Sequence, residues 1–299
     1  VTVGPPLERA IFRHRGLPYL LVLPQVAVTL VFFAWPALDS MRLALYRASP
    51  FGDRLAFVGM DNFAKLLRSE EYLRSVAVSG VFAGGVTVGA ITVSLALALL
   101  VNQVVRGQAL YRAALLWPYG LAPAVAGVIW LFIFHPVYGI VAFALGALAS
   151  QTLNWLLQGW VAMLMIMLAA IWKLLGYNLA IFLAGLQAIP ASVLEAARVD
   201  GAGARHRFWR IVFPLLSPVT FFLGVMNMAF AFFDTFGLIH TVTQGGPGGA
   251  TEILVYKVYR DGFLNHQVGS SAAQSVLLMV LVIGLTVAQF RYGERRVVY

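Results

Sequence analysis

Five polar side chains sit inside stretches that are otherwise apolar: Lys173, Tyr177 and Asn178 in one, Asn227 and Asp234 in another. A lone lysine in mid-bilayer costs roughly 2.5–3.5 kcal/mol to insert, so it faces protein or water and has a partner. Tyr177 follows Lys173 by four residues and shares its helix face, with Asn178 adjoining. Asn227 and Asp234, seven apart, share a second face. A cation beside hydroxyl and amide donors suits a phosphate carrying a small polyol, because charge-assisted hydrogen bonds recover part of the desolvation cost. The same residues also fit a structural role. Lys173 can pair with Asp234, Tyr177 and Asn178 can join helices, and Asp234 can cap the outer end of its segment. Trp117, Tyr119, Trp130 and Tyr138 read as packing or interfacial aromatics.

A second constellation is the polar island from Pro190 to Pro214. Pro190 ends an apolar segment, and Ser192-Val193-Leu194-Glu195 has the form of a capping box, so a new helix is predicted there. Ala196 and Ala197 give it a flat face that another protein can approach closely. Asp200-Gly201 is a turn signal that ends it after about two turns. Arg205, Arg207 and Arg210 then mark a membrane edge. Further on, Gln244-Gly245-Gly246-Pro247-Gly248-Gly249 must be irregular backbone. Gly245, Gly246 and Pro247 read either as a contact surface for a soluble protein or as a linker to a short helix over Tyr256–Phe263.

The elements that position these residues are membrane spans. Of 299 residues, 61% are hydrophobic and 11% charged, and the mean hydropathy of +0.84 lies far outside the globular range. Six segments reach the roughly 20 residues a crossing helix needs: 17–38, 76–100, 110–134, 160–186, 213–238 and 270–291. The chain is predicted to be a single all-α polytopic membrane domain, with Pro24, Pro118 and Pro123 tolerated inside spans. The first segment is too long for a signal-peptide core and is expected to stay. A short apolar piece at 140–148 is long enough only for an interfacial or re-entrant helix.

Orientation follows the lysines and arginines. With the N-terminus inside, twelve (Arg9, Arg13, Arg15, Arg106, Arg112, Arg198, Arg205, Arg207, Arg210, Arg291, Arg295 and Arg296) fall on the cytoplasmic side and eight outside. Both termini and the 190–214 loop are thus predicted to be cytoplasmic. The net charge of +9 is scattered between apolar blocks and forms no continuous face, which argues against nucleic acid as partner. With no cysteine, disulfides and thiolate metal sites are excluded. No P-loop, H-E-x-x-H, paired carboxylates or G-x-S-x-G elbow occurs, so no catalytic or metal-ligating residues are assigned and the chain is read as a non-enzyme. A stand-alone secondary carrier remains the rival class. Such carriers often show internal repeats, and none is evident here.

The spacing Glu195-Ala196-Ala197, Gly201, then Ile211-Val212-Phe213-Pro214 resembles the docking loop of permeases in ATP-binding-cassette (ABC) importers. Phe213 stands where that family usually has Leu. The resemblance implies the type I importer permease fold, with Glu195, Ala196, Ala197, Asp200 and Gly201 forming a coupling helix. It also implies a bacterial inner-membrane location, a homologous second permease, a dimer of ATPase subunits that alone binds ATP and magnesium, and an extracytoplasmic binding protein. No cofactor is expected in this chain. Over nearly its full length the sequence is similar to the A-type permeases of sn-glycerol-3-phosphate importers. Trp117-Pro118-Tyr119, Trp172-Lys173, Phe232-Phe233-Asp234-Thr235-Phe236, Gly245-Gly246-Pro247 and Ser271-Ala272-Ala273-Gln274-Ser275 carry that likeness. It implies glycerol phosphate as the solute, with glycerophosphodiesters possible in addition and a neutral sugar or oligosaccharide as the alternative.

Overall fold

The computed structural model describes residues 16–48, 55–102, 108–141, 143–144 and 154–293. The basic positions Arg9, Arg13, Arg15, Arg106, Arg295 and Arg296, the side chain of Arg112 and most of the 140–148 piece lie outside the described residues. Helix α1 runs over Leu17–Leu43, with none of its most apolar window buried. An antiparallel hairpin follows, β1 (Tyr46–Ala48) pairing β2 (Leu55–Phe57) with Tyr46 opposite Phe57. Then come α2 (Asp61–Arg68) and α3 (Glu70–Asn102).

The third predicted span is two pieces. Helix α4 (Gln108–Leu116) tightens to a 3₁₀ turn at Trp117–Gly120, and α5 (Pro123–Phe134) leaves at a bend of 112°. The long α6 (Gly159–Ala188) and the short α7 (Ala191–Val199) come next. The fifth predicted span is also broken. Helix α8 (Ala204–Leu215) meets α9 (Ser217–Phe233) at 64°, where Pro214 and Pro218 each remove a backbone donor. Helix α10 (Phe236–Val242) and α11 (Leu254–Tyr259, continued by a π-turn to Leu264) lead to α12 (Val268–Gly293). Four helices are long and apolar enough to cross a membrane, or up to six if each bent pair is one span.

The core forms where α3, α6 and α9 meet. Helices α3 and α6 run parallel and very close. Gly85 lies against Met167, Gly89 against Ile171, and Ser94 Oγ donates to Leu175 O at 3.5 Å. Small residues permit this approach in an apolar solvent, where packing rather than water exclusion joins helices. Helix α9 crosses α6 antiparallel, with Leu216 and Val219 filling the space above Gly185.

Candidate functional site

The break in the third span is set by proline chemistry and closed by Lys173. In an unbroken helix the Pro123 nitrogen would donate to Tyr119 O; proline has no N–H, so that carbonyl is freed. Leu121 is extended, and its carbonyl also lies outside the ladder of α5. Lys173 Nζ donates to both, at 3.1 Å to Tyr119 O and 2.6 Å to Leu121 O. The lysine is 6% exposed. No ion pair joins it to Asp234 among the described residues; its partners are backbone, an option that sequence reasoning about side chains did not raise.

Gly176 makes the arrangement possible. A Cβ there would lie 2.7 Å from Leu115 O and from Leu116 Cα, so the end of α4 rests directly on the backbone of α6. Aromatic rings from the preceding turn and from the next residue hold the bend. Tyr177 stacks on Tyr119 at 5.2 Å, and Trp172 meets Trp117 and Trp130 edge-on at 5.6 and 5.9 Å. Trp130 is a packing residue and Tyr138 stacks on His135. Trp117 and Tyr119, however, are about half exposed, at 54% and 47%. The break thus presents a step of aromatic surface with a buried cation behind it.

The remaining candidates are not gathered at this step. Asn178 and Asn227 are fully buried inside the bundle, and their side-chain oxygen and nitrogen atoms have no hydrogen-bond partner among the described residues. Asp234 follows the last turn of α9 and is exposed. Of the five, only Lys173 and Tyr177 adjoin the break.

Helix α7 starts one residue before the predicted capping box. Pro190 is its N-cap, and Ser192 makes no capping bond. Its other end is closed as the Asp200-Gly201 signal predicts. Gly201 adopts φ +76°, Gly201 N–H donates to Arg198 O at 3.0 Å, and Ala202 N–H donates to Ala197 O at 2.9 Å. This double closure needs a residue that tolerates positive φ. Glu195, Ala196, Asp200 and Gly201 face outward; Ala197 turns inward and is buried. Val199, not singled out in the sequence, is 87% exposed.

The glycine-rich loop is a packed turn. Gly245 is buried with φ +80°, and a Cβ there would press on the Tyr256 ring at 3.0 Å. Thr251 Oγ1 donates to Gly246 O at 2.8 Å. Gly246 and Pro247 are half-buried. Beneath lies an ionic cluster that the sequence did not reveal. Lys257 Nζ lies 3.1 Å from both Glu71 and Asp261, Arg260 Nη1 lies 2.7 Å from Glu252 and also pairs with Glu71, and Gln274 Nε2 donates to Asp261 at 2.7 Å. The cluster ties α3, α11 and α12 together. Burial pushes the Glu252 carboxyl above its ordinary value, against the pull of Arg260 and Lys257. A cavity of about 600 Å³ opens beside it, with Arg47, Lys65 and His266 in its wall. The only sequence signal was the run Lys257-Val258-Tyr259-Arg260-Asp261 and a glutamine, Gln274, inside an apolar span.

Comparison with known proteins places this geometry. Residues 90–299 match the family described as binding-protein-dependent transport system inner membrane component. The chain is 52% identical to the sn-glycerol-3-phosphate transport system permease protein UgpA of Rhizobium meliloti (strain 1021), over 98% of this chain and all of that one. It is 50% identical to the protein of the same name from Agrobacterium fabrum, again over 98% and 100%. The Yersinia pestis protein of that name is 50% identical over 96% of this chain and 97% of its own. Among solved structures, a chain of a bacterial ABC transporter that imports the acidic polysaccharide alginate superposes with a TM-score of 0.80 at 20% identity, covering 93% of this chain and 95% of that one. The same transporter in complex with an alginate pentasaccharide-bound periplasmic protein gives the same score and identity, covering 94% of that chain. The chain belongs to the binding-protein-dependent transport system inner membrane component family and has the fold of an ABC importer permease.

Proposed function

We propose that this permease forms half of the pathway of an ATP-driven importer for sn-glycerol-3-phosphate, with glycerophosphodiesters as a second solute class to test. The observation that carries the solute assignment is Lys173, a buried cation held by neutral carbonyls behind exposed aromatic surface. Because no carboxylate touches its ammonium, the positive charge is left to act on an approaching phosphate. Trp117, Tyr119 and Tyr177 would receive the polyol, whereas Asn178 and Asn227 lie behind that surface. The near 50% identity to glycerol-phosphate permeases supports the same solute.

A homologous second permease would complete the pathway. Two ATPase subunits, which alone would bind ATP and magnesium, would receive α7 on the side bearing Glu195, Ala196 and Asp200. Both termini would be cytoplasmic, as the basic residues suggest. A binding protein would meet the opposite face, where the Gly245–Pro247 turn lies. ATP closing the ATPase dimer would draw the coupling helices together and open the membrane halves outward; hydrolysis would reset them. Solute and nucleotide would then bias one two-state equilibrium.

The alternative solute is a neutral sugar, favoured by the exposed Trp117 and Tyr119 rings. The deciding experiment is solute-stimulated ATPase activity of the reconstituted complex with its binding protein. Stimulation by sn-glycerol-3-phosphate and not by maltose is expected. Stimulation by maltose alone would overturn the solute and leave the importer.

A further inference from the structure

Helix α10 links two features that the transport reading keeps apart, the aromatic step at the third-span break and the glycine-rich turn. It runs alongside the start of α5 in the same direction, and glycine stands at both places where the two backbones meet. A Cβ on Gly237 would lie 3.1 Å from Ala124 N and 3.4 Å from Pro123 Cβ. A Cβ on Gly127 would lie 3.1 Å from Thr241 Cβ and 3.4 Å from Leu238 O. Pro123 and Ala124 are the first residues of α5 after the break, and the nearby Leu121 O is the carbonyl that Lys173 Nζ holds at 2.6 Å. Ala126, Leu238 and Ile239 bury the seat between the two helices.

The far end of α10 passes into the turn without slack. The Thr243 and Gln244 N–H groups both donate to Ile239 O, at 3.0 and 2.8 Å, and Gly246 N–H donates to Thr243 O at 2.8 Å. Thr251 Oγ1 lies 2.7 Å from Thr243 Oγ1 and donates to Gly246 O, so it locks the turn to the helix end. On its other side α10 is held by rings, with Phe236 and His240 meeting Tyr259 edge-on at 4.9 and 5.3 Å. Close-packed interiors transmit a displacement and do not absorb it. A shift of the turn therefore carries α10 with it, bears on the start of α5 and reaches the carbonyl that Lys173 holds.

We propose that Gly127 and Gly237 are positioning residues of import: they seat α10 on α5, so that a protein docked at the turn alters the geometry of the solute step. Neither glycine touches solute. The packing of α10 on α5 is then the element that docking and solute both bias. The inference deepens the importer reading and rests on its placement of the binding protein at the Gly245–Pro247 turn.

The test uses the reconstituted complex with its binding protein and sn-glycerol-3-phosphate, and it separates docking from response. The binding-protein concentration that gives half-maximal ATPase stimulation reads docking, and the maximal stimulation reads coupling. Gly237→Ala should leave the first unchanged and lower the second at least about fivefold, the low end of ordinary coupling between sites. Basal activity without binding protein should stay the same. Thr251→Val frees the turn from the end of α10 and leaves the glycines alone. It should show the same split, and it carries the test if Gly237→Ala fails to assemble. The chain has no cysteine, so an environment-sensitive dye on Val125→Cys, exposed in the first turn of α5, reports on the seat. Docking should shift its emission in the otherwise wild-type complex and not beside Gly237→Ala or Thr251→Val. A dye that responds equally in all three, or maximal stimulation equal to that of wild type, would overturn the proposal. A loss confined to docking would also overturn it, since α10 would then serve the contact surface alone. A wild type that ignores the binding protein would overturn the importer reading together with this inference, whereas a wild-type response that survives both substitutions overturns the inference only.

Discussion

Lys173 and Lys257 are both almost fully buried, and the chain satisfies them in opposite ways. Lys257 sits among Glu71, Glu252 and Asp261, with Arg260 completing an alternating array. Lys173 donates to two backbone carbonyls and lies over the Tyr119 ring, 5.7 Å from its centroid, and among the described residues no carboxylate forms an ion pair with it. Carboxylates cancel a charge; carbonyls solvate it and leave it standing. The outer cluster therefore acts as a clamp between α3, α11 and α12, while Lys173 fastens the break in the third span to α6. Burial alone does not separate these roles, and the identity of the acceptor does.

The largest expected effect lies in the clamp. Lys257→Met strands buried carboxylates, and removal of one partner from a buried ion pair costs about 3–5 kcal/mol. The value should fall at the lower end because the Glu71 side chain reaches solvent, at 60% exposure. A thermal melt of the complex in detergent reads the loss, and an unshifted melt would remove the distinction. Next is Gly176→Ala, whose Cβ would meet the backbone of α4 at 2.7 Å. Overpacking of this kind costs about 1–3 kcal/mol, and transport should drop because the break is pushed off α6.

Lys173→Gln sharpens the comparison further. A glutamine amide can still donate to a freed carbonyl, so assembly should change by less than about 1 kcal/mol. Glycerol phosphate should nonetheless stimulate ATPase about tenfold less at a given concentration, since the charge-assisted component is gone. If Asp234→Asn rescued the variant, a Lys173–Asp234 pair would have to replace the carbonyl account. The smallest effect is a pH dependence of the clamp. Glu252 is held above its ordinary value of 4.5, so the folded state binds that proton more tightly than the unfolded chain. Its contribution is complete in acid and fades as pH rises through the raised value. Glu252→Gln should flatten that decline, read as the Tm of the complex against pH.

Legibility in the sequence varied with the range of the interactions. Helix α7 could be anticipated because its signals are local: Pro190 before it, Asp200-Gly201 after it. Only its first turn differed, since Pro190 already supplies the start and leaves Ser192 inside the helix. The bends at 112° and 64° were not anticipated, because hydropathy runs unbroken through both and proline alone is compatible with a straight span. What fixes the first bend is Gly176, on another helix. The clamp was hidden for a related reason: Glu71 and Lys257 are 186 residues apart. The buried Asn178 and Asn227 looked like ligand groups by residue type, and only their depth in the bundle sets them apart from the exposed step.

The closed ends of α7 have a thermodynamic consequence. Nine residues are too few to persist as helix in water on their own. Here Gly201 and Ala202 turn their amides back onto the last carbonyls, and Ala197 anchors the helix to the body of the chain. The conformational entropy of ordering it is therefore lost at folding and not at docking. A surface receiving this helix would meet a finished plug, and each cycle of the proposed engagement would proceed without melting and rebuilding it.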